Sequence, residues 1–172
     1  MDYKFTHDGL LKVSWVPCQD YAIPHNSYKG GKEDGVKTYI ARARKDGGVH
    51  PGRMKQGNSG CLISYGGEEV EVEPYEVLQV FDGDWKKCHD GEVPRNAIWG
   101  GYEADGTPLF IGQVKHEGNK YIGKVRKEFG GCMFGHGGEE HCKDEYKVLT
   151  GYTPWMNASG GEIPEDSMVG GR

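Results

Sequence analysis

The chain has 172 residues, a formal net charge of −5 and a sequence pI near 5.8, which excludes the basic footprint of a nucleic-acid binder. Only 35% of residues are hydrophobic but 11% are aromatic, with four Trp and ten Tyr; disordered chains are poor in aromatics, so this one is expected to fold around aromatic anchors. Twenty-nine glycines without a Gly-X-Y period exclude collagen and argue for short strands and tight turns over long helices.

The N-terminal stretch MDYKFTHDGLLKVSWV has acids early and no apolar run of signal-peptide length. No segment of the chain is apolar enough for a membrane span. The expected location is therefore cytoplasmic, or outside the cell by a non-classical route. After an N-terminal extension (1–14), TYIARAR at 38–44 alternates apolar and polar residues, as a half-buried strand does. CLISY at 61–65 and YEVLQVF at 75–81 supply further short strands. The same kinds of segment return as LFIGQVK at 109–115, CMFGH at 132–136 and YKVLTGY at 146–152. Between them KDGG, KHEGN, YGGEE and HGGEE are turn chemistry, with glycine supplying positive φ. No segment of a dozen residues has helical periodicity. The locally basic positions Lys45, Lys55 and 124–127 read as solvated strand faces.

The returning segments belong to an internal repeat. HPGRMKQGNSGCLISYGGEE at 50–69 matches YIGKVRKEFGGCMFGHGGEE at 121–140, sharing seven identities and a cation, Arg53 or Lys124, after the first glycine. Trp15, Trp85 and Trp155 are spaced by 70, as are Pro24, Pro94 and Pro164, and the pairs Gly30-Gly31, Gly100-Gly101 and Gly170-Gly171. The offset becomes 71 once one residue is gained between Gly101 and Phe110. Unit one spans 15–79 and unit two 85–150, and 155–172 opens a partial third repeat. The expected fold is all-β, with two pseudo-symmetric tandem repeats that share a core or exchange strands. About 70 glycine-rich residues make a thin core for one unit alone.

Five cysteines cannot all pair within one chain. Cys61 and Cys132 are repeat-equivalent, flanked by glycine and apolar residues, and read as buried free thiols. The run His136-Gly-Gly-Glu-Glu-His141-Cys142 invites a metal reading, but unit one has Tyr65, Val70 and Glu71 in the places of His136, His141 and Cys142. The fold needs no ligands there, and neither metal nor cofactor is expected. The equivalent tryptophans read as core anchors. Trp99 has Lys29 as its counterpart and is the candidate for stacking on a flat ligand face. The Gly-Gly-Glu-Glu turns read as hairpin connections.

Together a unit reads W-x8-[IV]-P-x5-G-G…[YF]-I-[AG]-x-[AV]…G-[RK]…C…G-G-E-E…Y-x-V-L, and this resembles the DM-nine repeat family over nearly the whole chain. The resemblance implies a lectin that binds mannose-type glycans and serves pattern recognition in innate immunity. It also implies a site made of an acid just after the glycine pair and the cation of the Pro-Gly-Lys turn. On this chain those positions are Glu103 and Lys124 in unit two. In unit one the cation is Arg53 and the acid is Glu33 at offset 70, although Lys32 takes the place at 71. Aspartate has become Glu103 and lysine has become Arg53, whose planar fork suits a carboxylate or phosphate better than a hydroxyl. The pore-forming region of the natterin-like branch has no counterpart in this sequence.

A carboxylate that accepts from sugar hydroxyls beside a cation that donates to them is sound recognition chemistry. Several weak sites per assembly, in a homodimer for example, would add avidity. The expected partners are therefore mannose-containing glycans on cell surfaces, bound without calcium, with no nucleic acid and no membrane insertion. The competing reading is a non-catalytic β scaffold for assembly, in which the acid and cation form a surface ion pair contributing about 0–1 kcal/mol. An enzyme is not expected, because no Ser-His-Asp elbow, P-loop or dinucleotide fingerprint is present.

Overall fold

The computed structural model describes residues 2–5, 12–80 and 83–151. Trp155 and the partial third repeat lie outside them. The first strand, β1 (Asp2–Phe5), pairs with β2 (Lys12–Cys18). Unit one continues with β3 (Lys29–Glu33), β4 (Val36–Lys45), β5 (Gly48–Lys55), β6 (Cys61–Tyr65), β7 (Glu68–Val72) and β8 (Tyr75–Val80). Unit two repeats the series as β9 (Gly83–His89), β10 (Trp99–Tyr102), β11 (Pro108–His116), β12 (Asn119–Arg126), β13 (Gly131–His136), β14 (Glu139–Lys143) and β15 (Glu145–Gly151). A single 3₁₀ turn at Lys127–Phe129 is the one helical element among the described residues. The all-β reading holds, and the alternating segments are strands where the pattern put them.

Each unit folds β3–β4–β5 or β10–β11–β12 into an antiparallel meander. The two meanders join at both edges. β3 meets β12 through Lys32 and Lys120, and β5 meets β10 through Val49 and Tyr102. Those registers are repeat-equivalent, so the six strands close into a barrel around a pseudo-twofold axis. Gly31 and Gly101 make the closure feasible. A Cβ on either would collide with the carbonyl of the opposite unit, Lys120 O or Val49 O, so only glycine lets the edges meet.

Further strands extend this frame symmetrically. β8 and β2 pair outward from β4, and β15 and β9 from β11. The β6–β7 hairpin hangs from β5 and the β13–β14 hairpin from β12, and the two hairpins meet at Glu68 opposite Glu139. Their tips are Gly66-Gly67 and Gly137-Gly138, all at positive φ.

The core resolves which way the two units cooperate. One buried cluster draws equally on both: Val13, Trp15, Ile40 and Leu78 from unit one with Ile98, Ile111, Ile122 and Leu149 from unit two. Two further clusters are private and repeat-equivalent, one around Met54, Cys61, Ile63 and Val77, the other around Val125, Cys132, Phe134 and Val148. Trp15 is an interior anchor, and Trp85 packs half-buried against the same shared cluster. Cys61 and Cys132 are fully buried free thiols, and burial pushes both far above the ordinary thiol pKa.

Candidate functional site

The two cations of the repeat stand on barrel strands, Arg53 on β5 and Lys124 on β12. The glycine before each explains how the neighbouring hairpin comes close. A Cβ on Gly52 would strike Leu62 O of β6, and one on Gly123 would strike Met133 O of β13. With the hairpins drawn in, Arg53 and Lys124 sit beneath them, 4% and 3% exposed. The solvated strand face expected around position 124 is thus corrected. Lys124 points into the seam between units, because the opposite hairpin covers it.

In unit one all three sides of the Arg53 guanidinium are taken. Nε pairs with Glu33, Nη2 with Glu69 Oε2 at 2.9 Å, and Nη1 donates to Gly135 O of the other unit at 3.2 Å. The Tyr121 ring of unit two lies 5.3 Å from the guanidinium carbon. Glu33 is itself buried, with Lys55 Nζ 3.9 Å away. Burial raises its pKa above the ordinary value even though Arg53 pulls it down. This constellation is closed, and its charges are paired with one another.

In unit two the same positions are looser. Lys124 Nζ donates to Ser64 O of unit one at 2.7 Å and to His50 Nδ1 at 3.1 Å. Glu140 Oε2 stands 3.8 Å away, beyond hydrogen-bond distance. Glu103 does not reach the lysine directly. Its Oε2 accepts from Arg126 Nη1 at 3.1 Å, and its side chain remains 22% exposed. Arg126 is similarly half-exposed, with the Phe129 ring 5.1 Å from its guanidinium carbon. Burial pulls the pKa of Lys124 down against the opposite influence of Glu140 and Glu103. Burial and the neighbouring Lys124 push that of His50 down to about 4, so at neutral pH His50 presents a lone pair to the ammonium.

The two constellations are images of one another. Arg53 takes a carbonyl from unit two at Gly135, and Lys124 takes the equivalent carbonyl from unit one at Ser64. Glu69 and Glu140, the last residues of the Gly-Gly-Glu-Glu motifs, complete the exchange. Gly138 N donates to Glu69 Oε1 at 3.2 Å and Gly67 N donates to Glu140 Oε1 at 3.0 Å. The motifs are hairpin turns, as expected, and they also deliver a carboxylate to each cation. Sequence reasoning passed over both glutamates. The signal was present, since a glycine turn does not require Glu-Glu after it, yet both copies keep it.

The structure therefore brings Glu33 to Arg53, and sets Glu103 at the rim of the Lys124 constellation by way of Arg126. Trp99 opens β10, half-buried and opposite Phe110. The rings that face Lys124 are instead Tyr65 at 5.6 Å and Phe129 at 5.9 Å. His136 and His141 have ring centroids 5.8 Å apart, but Cys142 is exposed and its thiol faces Phe129 O. Adjacent residues of a strand point to opposite faces, so His141 and Cys142 cannot converge. The described residues with metal-ligand proximity are His116, Glu117 and His136.

A family model described as DM9 repeat matches residues 6–72 and 32–143. The chain belongs to that family, which is of carbohydrate-binding type. No curated protein matches the chain.

Proposed function

We propose that this member of the DM9 repeat family is a calcium-independent lectin for mannose-type glycans, without enzymatic activity, and that the Lys124 constellation is its working sugar site. The observation that carries the reading is the asymmetry between two otherwise equivalent constellations. Arg53 spends every face of its guanidinium on Glu33, Glu69 and Gly135. Lys124 leaves a 3.8 Å gap to Glu140, and the half-exposed Glu103 and Arg126 form its rim. A sugar hydroxyl seated beside that gap can accept from Nζ and donate to a carboxylate, and a neighbouring hydroxyl can donate to Glu103. Both contacts are charge-assisted, and neither requires a metal. Arg126 holds Glu103 in place and supplies a further donor. Pattern recognition on glycan-coated surfaces, reinforced by a homodimer, is the physiological setting this chemistry suits.

The test is titration of the full chain with mannose and mannobiose in EDTA, by calorimetry or ligand-observed NMR. Binding should survive EDTA. Glu103→Gln, a change at a half-exposed side chain that leaves the core intact, should weaken binding about 10- to 100-fold through loss of charge-assisted hydrogen bonding. Arg53→Lys reports on unit one and should leave affinity unchanged. Absence of binding to either sugar by the unmodified chain would overturn the proposal and favour the assembly scaffold.

A further inference from the structure

At the far end of the β11–β12 hairpin, His116 and Glu117 face His136 of β13. Glu117 Oε2 is 3.8 Å from His116 Nε2, and Oε1 is 3.5 Å from His136 Nε2. One ligand atom from each of the three residues lies within 4.8 Å of the others. We propose that these residues form a binding site for a divalent transition ion, zinc foremost, in unit two alone.

The donor set fits the ion. Two imidazole nitrogens and one carboxylate oxygen are borderline ligands that suit zinc, and they are unlike the all-oxygen shell that calcium takes. Zinc–ligand bonds of about 2.0–2.2 Å require the donors to draw together by roughly an ångström. The half-buried histidines and the exposed Glu117 can do this by side-chain rotation. Three protein ligands leave a fourth position for water.

Second, the histidines are already oriented. The Tyr121 hydroxyl lies 2.9 Å from His136 Nδ1. With Nδ1 keeping its proton and donating it to Tyr121 Oη, the lone pair rests on Nε2, the atom that faces Glu117. The phenol oxygen can accept that hydrogen bond, so Tyr121 suits the tautomer that a metal at Nε2 requires and holds the ring in place. The His116 ring packs against Phe134 at 5.3 Å and stacks on His141 at 6.0 Å. His141 Nε2 donates to His136 O at 3.0 Å and braces the strand that carries His136.

Third, comparison of the two units separates this cluster from the needs of the fold. Unit one carries Lys45, Asp46 and Tyr65 in the places of His116, Glu117 and His136, and there desolvation and the neighbouring Asp46 raise the pKa of Tyr65. The same hairpin and the same acid–ring contact are thus built without an imidazole. Unit two differs at all three positions: the acid is kept as Glu117 in place of Asp46, and the other two changes each introduce a histidine. The site is independent of the sugar reading, because it lies on other residues and its ligands are indifferent to calcium.

The experiment is calorimetric titration of the reduced full chain with zinc chloride, with cobalt(II) absorption reporting the ligands. One ion per chain should bind, with a tetrahedral cobalt spectrum lacking a thiolate charge-transfer band. The paired change His116→Lys with His136→Tyr restores the residues that unit one accommodates, and should abolish binding while circular dichroism stays unchanged. Glu117→Gln, at an exposed turn, should weaken binding, and Tyr121→Phe should do so about 10-fold or more because His136 Nδ1 loses its hydroxyl partner. No binding by the unmodified chain, binding that survives the paired change, or a thiolate band reporting a cysteine would each overturn the proposal.

Discussion

His50 shows how far a single residue in the seam departs from its solution chemistry. It is 1% exposed and accepts a hydrogen bond from Lys124, and both influences disfavour a proton on the ring. Its pKa falls from 6.5 to about 4. Below pH 6.5 the unfolded chain takes up a proton that the folded chain refuses, so stability is lost as pH falls toward 4. At about 1.4 kcal/mol per unit, that loss reaches at most about 3 kcal/mol. Glu33 works in the opposite sense. Its pKa is raised by burial, so its contribution is present below the ordinary carboxylate value and fades as pH rises through the folded one. The two oppose each other in the whole-chain profile, and a difference measurement separates them. His50→Gln keeps an acceptor for Lys124 and removes the titration. The gap in urea unfolding free energy between the unmodified chain and this variant should therefore change between neutral pH and pH 4, with the unmodified chain losing more. A gap that is constant with pH would show that His50 is not the titrating group.

At the scale of elements, the hairpins β6–β7 and β13–β14 are equivalent in backbone and unequal in what they hold. Glu69 closes a tight pair with a guanidinium that already has Glu33, whereas Glu140 stands off from an ammonium. Removing a carboxylate from a buried hydrogen-bonded pair costs more than removing one beyond bonding distance. Glu69→Ala should thus lower stability by about 1–3 kcal/mol, and Glu140→Ala by clearly less, while Glu140→Ala affects mannose binding and Glu69→Ala does not. Chemical denaturation together with sugar titration checks both halves, and equal stability costs would refute the asymmetry. The strands and turns themselves were legible in the sequence, because period-two alternation in TYIARAR and paired glycines in YGGEE are local signals. The destinations of Glu69 and Glu140 were not. Each crosses to a backbone N–H of the other unit, and that crossing depends on barrel closure, which no local pattern encodes. The histidine cluster was hidden for the same reason. His116 and His136 are twenty residues apart, and the β11–β12–β13 register is what brings them together.

At the scale of the whole molecule, the repeat announced two units but left open how they depend on each other. The shared cluster answers it with four residues from each unit. β3 and β10, and the ends of β5 and β12 that their own hairpins leave uncovered, pair with the other unit through β3–β12 and β5–β10. A lone unit would expose two unpaired strand edges and half of a core. It would also leave Arg53 without Gly135 O, or Lys124 without Ser64 O. Conformational entropy must be offset by burial, and half of a shared core does not supply it at this size. The expected outcome is that fragments 1–80 and 83–172 are each unfolded alone by circular dichroism and regain the native β spectrum when mixed, in one-to-one proportion. Recovery should be concentration-dependent, since cutting the link turns an intramolecular association into a bimolecular one. A fragment that folds by itself with a cooperative unfolding transition would mean that the private cluster of each unit is sufficient. The pseudo-twofold seam would then be an interface between finished domains, with the Lys124 constellation assembled on docking.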